Sequence, residues 1–177
     1  MFNTLNSMVS LARKKSDKLE PALLKMSDLM HYMLYDADEE KVSLLKELEY
    51  IHSYIELQTL RFGSTLKILL LVQQPDKEYY IEPMLLIPLI ENAFKHGIEV
   101  ITDPEINIQF KAYEKNLSLL VSNRISRTAT GTADKTKGIG LANLKRRLNI
   151  MYPSRYQLSA QRNGEWFHAS LKIHLTS

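Results

Sequence analysis

Pro83-Met84-Leu85-Leu86-Ile87-Pro88-Leu89-Ile90-Glu91-Asn92-Ala93-Phe94-Lys95-His96-Gly97 is the stretch on which the fold of this chain turns. Its spacing predicts a helix over 83–96, with Gly97 just past the end, where glycine commonly follows a helix. Met84, Leu85, Leu86, Ile87, Leu89, Ile90, Ala93 and Phe94 are apolar nearly all round, which predicts a buried helix. Glu91 and Lys95 are four apart and face each other, as do Asn92 and His96. Lys and His near a helix C-terminus also satisfy its carbonyls and its dipole, so those two have an ordinary explanation. Glu91 and Asn92 do not, because polar groups inside an apolar helix cost free energy unless paired. A bound metal-phosphate would pair them.

A second constellation, Gly138-Ile139-Gly140-Leu141-Ala142-Asn143-Leu144, closes a polar loop over 124–137 and opens a predicted helix over 140–151. Glycines there let a backbone approach a phosphate, and a helix N-terminus offers it free N–H groups. Turns use Gly-x-Gly constantly, so the motif alone identifies nothing. It is not a dinucleotide fingerprint, because Asn143 stands at the third glycine position, and no Gly-Lys-Ser/Thr follows to make a P-loop. The His-Arg-Asp and Asp-Phe-Gly signatures of protein kinases are absent too. A polar loop of this length is often a functional lid.

Further out, Phe2, Leu5, Val9 and Ala12 keep helical spacing. The polar run 14–20 followed by Pro21 predicts a break and a fresh helix with a stripe of Leu23, Met26, Met30, Met33 and Leu34. Such a hairpin cannot bury its stripe alone, so the rest of the chain or a second copy has to cover it. Residues 36–40 read as an acidic turn. Residues 42–62 form a long amphipathic helix with Leu44, Leu48, Ile51 and Ile55 on one face, widened by Leu45 and Tyr54, and Gly63 caps it. Residues 66–73 read as a buried strand, and 106–113 and 117–122 as strands joined by a turn. Asn163-Gly164 joins a hairpin of 156–161 with 166–175. Helices alternate with antiparallel hairpins, which predicts an α+β sandwich, one mixed sheet with helices on one face.

Composition narrows the function classes. The chain has 177 residues, 45% hydrophobic and 24% charged, which is ordinary globular usage. With no cysteine, a disulfide framework and thiolate zinc sites are excluded. The longest apolar run, 84–90, is broken by Pro88 and far shorter than the ~20 residues a membrane helix needs. A net charge of +3 is too slight to argue for nucleic acid. Basic residues gather at Arg13, Lys14, Lys15 and Lys18, read as a solvated face, and at Lys135, Lys137, Lys145, Arg146 and Arg147 beside the glycine motif. His168 and His174 lack acidic neighbours and read as structural. His31 and His52 read as surface or interface residues, and Met26, Met30 and Met33 as core or dimer surface.

Taken together, the pieces resemble the LytS/YehU-type sensor histidine kinases. The resemblance is carried by Pro83-x-Leu85-Leu86-x-Pro88-Leu89-x-Glu91-Asn92-Ala93-x-Lys95-His96-Gly97, by Gly138-Ile139-Gly140-Leu141-x-Asn143, and by Arg147-Leu148 and Tyr152. Val42-x-Leu44, Glu47, Tyr54, Arg61-Phe62 and the opening Phe2-Asn3-x-Leu5-Asn6 match as well. The resemblance implies a GHKL (Bergerat-type) ATP-binding domain over 39–177, preceded by a partial dimerising helical hairpin over 1–38. It implies that Asn92 holds Mg²⁺ bridging the phosphates of ATP and that Glu91 is the acid polarising or orienting the reacting group. Lys95 and His96, with Gly97 behind them, would face the phosphates or ribose. Gly138 and Gly140 would form the second glycine box, with Leu141 and Asn143 at the helix start, and 124–137 would be the lid over ATP.

The chain departs from the pattern in two places. The family's adenine box carries an acid; here Val121-Ser122-Asn123-Arg124-Ile125 puts an amide in its place and lacks both glycines. The Asn123 oxygen still accepts a hydrogen bond, without the charge that would strengthen it. The family's phosphoacceptor His lies just before Phe2, where this sequence has Met1, so the acceptor is expected upstream in a longer protein. The implied activity is transfer of a γ-phosphoryl group to histidine, for relay to a response-regulator receiver domain. A homodimer in the cytoplasmic region of a bacterial inner-membrane sensor is the implied setting. The alternatives are a GHKL-type ATPase or Ser/Thr-directed kinase, and a degenerate non-catalytic dimerisation module.

Overall fold

The computed structural model describes residues 2–98, 101, 103–126 and 139–175. Helix α1 (Phe2–Arg13) and helix α2 (Leu19–His31) form the opening hairpin, and α2 runs on through a wider turn at Tyr32–Asp36. Strand β1 (Val42–Ser43) leads into α3 (Leu44–Phe62). Ser43 caps that helix, its hydroxyl accepting from the Lys46 N–H at 3.2 Å. At the other end Gly63 takes a φ of 61°, which stops the helix as predicted. Strands β2 (Lys67–Gln73) and β3 (Tyr80–Ile81) follow, then α4 (Ile87–His96), β4 (Glu105–Tyr113), β5 (Asn116–Arg124), α5 (Ile139–Met151), β6 (Tyr156–Asn163) and β7 (Trp166–His174).

Five strands make one mixed sheet in the order β2-β4-β5-β7-β6, parallel between β2 and β4 and antiparallel elsewhere. The short strands β1 and β3 pair separately. Alternation along β5 turns Leu117, Leu119 and Val121 toward the helices, where they meet Ile106, Ile108 and Phe110 of β4 and Ala169, Leu171 and Ile173 of β7. Leu144 and Leu148 of α5 and Ile90 and Phe94 of α4 close this core from above. The predicted α+β sandwich is thus the observed one, with its β4–β5 turn at Glu114 and Lys115, both left-handed.

Several local expectations are corrected. The strand over 66–73 is not buried: β2 is an edge strand whose Leu69, Leu71 and Val72 are exposed, because it has a neighbour on one side only. The helix predicted from residue 42 starts at Leu44, since Val42 and Ser43 pair with Ile81 and Tyr80. Leu45 is exposed instead of widening the core face. In α2 the buried row is Ala22, Met26 and Leu29, continued by Tyr32, and it lies on α3; Leu23, Met30 and Leu34 of the predicted stripe face outward. The late hairpin turns at Gly164 and Glu165, one residue beyond the predicted pair, because Asn163 already pairs with Trp166.

Candidate functional site

Helix α4 begins at Ile87, not at Pro83, because Met84 has a φ of 58° and breaks the helical run. Pro88 sits in its first turn, where the missing N–H costs nothing. The helix is not buried all round. Ile87, Leu89, Ile90, Ala93 and Phe94 are buried, Glu91 and Lys95 are exposed, and Asn92 and His96 are half-buried. Glu91 and Asn92 therefore stand on a polar stripe that ordinary amphipathicity explains, and neither needs a buried partner.

The four polar residues divide into two groups. Glu91 and Lys95 line a cavity of about 510 Å³ between α2, α3 and α4, together with Met26, Met33, Tyr50, Tyr54, Gln58 and Arg61. Partial loss of water against those walls pushes the Glu91 carboxyl above the usual carboxylate range. Asn92 and His96 form the neighbouring row, four residues apart on the same side of the helix.

At the end of α4, Gly97 donates its N–H to the Ala93 carbonyl at 2.7 Å. A Cβ on Gly97 would stand 2.6 Å from that carbonyl oxygen, 2.9 Å from the Asn123 Cβ and 3.1 Å from Asn123 Nδ2. Its φ is an ordinary −88°, so glycine is required here for close approach, not for backbone freedom. The first motif is in this way seated on the residue that the altered adenine box contributes. Asn123 continues the inward row of β5 and is 1% exposed. Its Nδ2 donates to the Arg124 carbonyl at 2.9 Å.

The second motif arrives from α5, which packs beside α4. Gly140 lies exposed in its first turn, and a Cβ there would meet nothing within 4 Å. Leu141 is half-buried against the core and Asn143 is exposed. Gly138, Lys135 and Lys137 and most of the predicted lid lie outside the described residues. Among the described residues no group of three or more His, Asp or Glu gathers to hold a metal ion. A cation beside Asn92 would take most of its ligands from phosphate and water, as Mg²⁺ commonly does.

Glu47 and Arg147, named in the sequence as matches to the family pattern, hold the turn before α4 in place. Glu47 is fully buried. Its Oε2 accepts from the Tyr32 hydroxyl at 2.6 Å and the Met84 N–H at 3.0 Å, and its Oε1 accepts from the Leu86 N–H at 3.0 Å. Burial still pushes its carboxyl up, against the pull of those donors. Arg147, read as part of a basic cluster, donates Nη1 to the Met84 carbonyl at 2.9 Å and Nη2 to the Pro83 carbonyl at 2.7 Å. The signal for Glu47 was its position three residues after Leu44 and four before Ile51, on the core face. His168 and His174 are structural, as read: they pair with Ser122 at 2.7 Å and Asn116 at 3.1 Å.

Residues 1–66 match the family model described as histidine kinase. The chain is 29% identical over 187 aligned residues to the sensor protein LytS of Streptococcus agalactiae, covering 97% of this chain and 32% of that protein. It thus spans about a third of the length of the curated relatives it matches. Among solved structures, the catalytic domain of histidine kinase ThkA superposes with a TM-score of 0.54 at 15% identity, over 78% of this chain and 97% of that one. ThkA in complex with response regulator protein TrrA gives 0.54 at 13% identity, over 93% and 52%. At such identities the structural likeness establishes the fold alone, which is that of the ThkA catalytic domain.

Proposed function

We infer that this chain belongs to the LytS-type sensor histidine kinases, which it resembles, and that it is the catalytic region of such a kinase. In this reading it binds Mg-ATP and directs the γ-phosphoryl group to a histidine outside the stretch, for relay to a response-regulator Asp. The observation that supports it is the close seating of Gly97 on Asn123, where a Cβ on the glycine would stand 2.9 Å from the Asn123 Cβ, so that two of the segments read as nucleotide motifs meet. Residues 39–177 would be the nucleotide-binding unit and 1–38 the partial dimerising hairpin. The full-length protein would be a homodimer anchored in the membrane by segments outside this stretch, although no helix among the described residues is long and apolar enough to cross one.

The residues present fit Mg-ATP. Asn123 would offer Oδ1 to an adenine amino group, the open space at Gly140 would admit phosphate at the start of α5, and half-buried Asn92 would supply a neutral oxygen to a cation. Bound Mg-ATP would supply the transferable phosphoryl group. What the chain supplies is position and charge, which is most of the catalysis in phosphoryl transfer. Asn92 would hold the metal, His96 would steady phosphate or ribose, with Lys95 on the hairpin side beside Glu91, and Gly138, Leu141 and Asn143 would complete the second box. Glu91, on the side facing the hairpin, would orient the acceptor or polarise it, and its raised pKa suits a group that handles a proton.

Asn92→Ala tests the metal assignment. A titration of the folded variant with Mg²⁺ and a non-hydrolysable ATP analogue should show affinity reduced about tenfold or more, the loss of one ligand at a charged centre. Binding as tight as in the parent would remove Asn92 from the metal. A second reading, a degenerate dimerisation module, is favoured by one observation: the amide at Asn123 is committed to its own backbone where the family has a carboxylate. A folded chain that binds no nucleotide would establish it.

A further inference from the structure

Residues 83–86 join β3 to α4, and their Met84 lies in the left-handed region that side chains avoid. Such a residue persists only where its surroundings over-determine it. Here the turn is gripped from both sides. On one side Glu47 of α3 takes the N–H groups of Met84 and Leu86, each at 3.0 Å. On the other, Arg147 of α5 donates to the carbonyls of Met84 and Pro83 at 2.9 and 2.7 Å. Leu86 immediately precedes α4, so whatever fixes its N–H fixes the direction in which that helix leaves the turn.

The grip has a third hand. Tyr32 follows the last residue of α2 and is buried, and its hydroxyl donates to the same Glu47 Oε2 at 2.6 Å. The end of the hairpin and the start of the nucleotide-facing helix thus hang on one carboxylate. A leucine would fill the same space without the cost of burying an acid, so packing alone does not account for Glu47. A carboxylate is suited to the role because two oxygens can accept three donors at once.

Building on the functional reading above, we propose that Glu47 is a positioning residue that couples the seating of the hairpin to Asn92 and His96 on α4, with Tyr32 as the hairpin's hold on it. A shift of α2 moves the Tyr32 hydroxyl. The carboxylate follows its strongest donor, and the Leu86 N–H follows the carboxylate. Asn92 lies six residues beyond Leu86, less than two turns along α4. The route runs through the turn, from Tyr32 by way of Glu47 to Leu86.

The test compares Tyr32→Phe, Glu47→Gln and the double variant in the whole chain. Two quantities are read well below the melting temperature: affinity for Mg²⁺ with a non-hydrolysable ATP analogue, and amide hydrogen exchange along α4. The coupling predicts affinity weakened about fivefold by Tyr32→Phe and about tenfold by Glu47→Gln, within the usual range of coupling between sites. The double variant should be no weaker than Glu47→Gln, because the hydroxyl works only through the carboxylate. Exchange along α4 should quicken in every variant. A lower melting temperature with unchanged affinity and unchanged α4 exchange would make the clamp a packing device and overturn the proposal. So would effects that simply multiply in the double variant. If the parent itself fails to bind the analogue, the functional reading falls and exchange decides alone: faster α4 exchange in Tyr32→Phe upholds the coupling, unchanged exchange overturns it.

Discussion

Replacing Gly140 by alanine separates what the fold needs at that position from what the proposed ligand needs. The residue lies in the first turn of α5, and a Cβ there meets nothing within 4 Å. Nothing in the fold resists the methyl group. Glycine within a helix costs roughly 0.5–1 kcal/mol relative to alanine, and a first-turn position keeps the lower part of that, so the variant should gain about 0.5 kcal/mol. In a chain of this size that is about 1–2 °C in melting temperature. The same methyl would stand where phosphate is proposed to meet the start of α5. Losing one hydrogen bond to a charged group costs roughly 1.5–3 kcal/mol, so affinity for an ATP analogue should drop at least tenfold. Urea denaturation reads the first quantity and calorimetric titration the second. A variant that is more stable and binds as the parent does would refute the placement of phosphate at Gly140. A variant that loses stability would show that the open space around this glycine is not what it is taken to be.

Further expectations follow from the same geometry. Gly97→Ala puts a Cβ against the Ala93 carbonyl and the Asn123 side chain at 2.6 and 2.9 Å, and overpacking of that kind should cost about 2 kcal/mol in urea denaturation. Asn123→Asp removes the donor to the Arg124 carbonyl and buries a charge beside it, so the free protein should lose about 2–4 kcal/mol, more at neutral than at acid pH, despite restoring the family's acid. The Glu47 carboxyl is raised from its ordinary 4.5 by burial, so the folded state holds that proton longer than the unfolded state does. Its contribution therefore favours folding at and below its unfolded pKa and is lost as pH rises through the higher folded pKa. Denaturation curves across that window should show a decline in the parent that Glu47→Gln lacks, and an equal decline in both would assign it to other groups.

Periodicity carried most of the architecture because most elements have one face on a single core. The alternation in 117–122 and the 3.6-residue spacing in 140–151 both read correctly, since burial there is one-sided. It misread 66–73, where Ile, Leu and Val mark an exposed edge strand: sequence spacing says nothing of how many neighbours a strand has. The helix 83–96 was misread at both levels. The left-handed Met84 shortens it, and its polar stripe is narrow enough to vanish among eight apolar residues. The site motifs were legible as motifs. Their support was not, because Glu47 and Arg147 act through backbone groups 37 and 63 residues distant, and a backbone partner leaves no pattern in the sequence. The division of Glu91 and Lys95 from Asn92 and His96 follows from the placement of α2 and α3 around α4, which only the fold displays.

On the proposed reading, the surface formed by α4, the end of β5 and the start of α5 takes Mg-ATP. Calorimetric titration of the parent chain with a non-hydrolysable ATP analogue, with and without Mg²⁺, tests it most directly. Saturable binding that strengthens when Mg²⁺ is present is the expected result. A folded sample that shows no binding up to about millimolar analogue, equivalent to only ~4 kcal/mol, would contradict it.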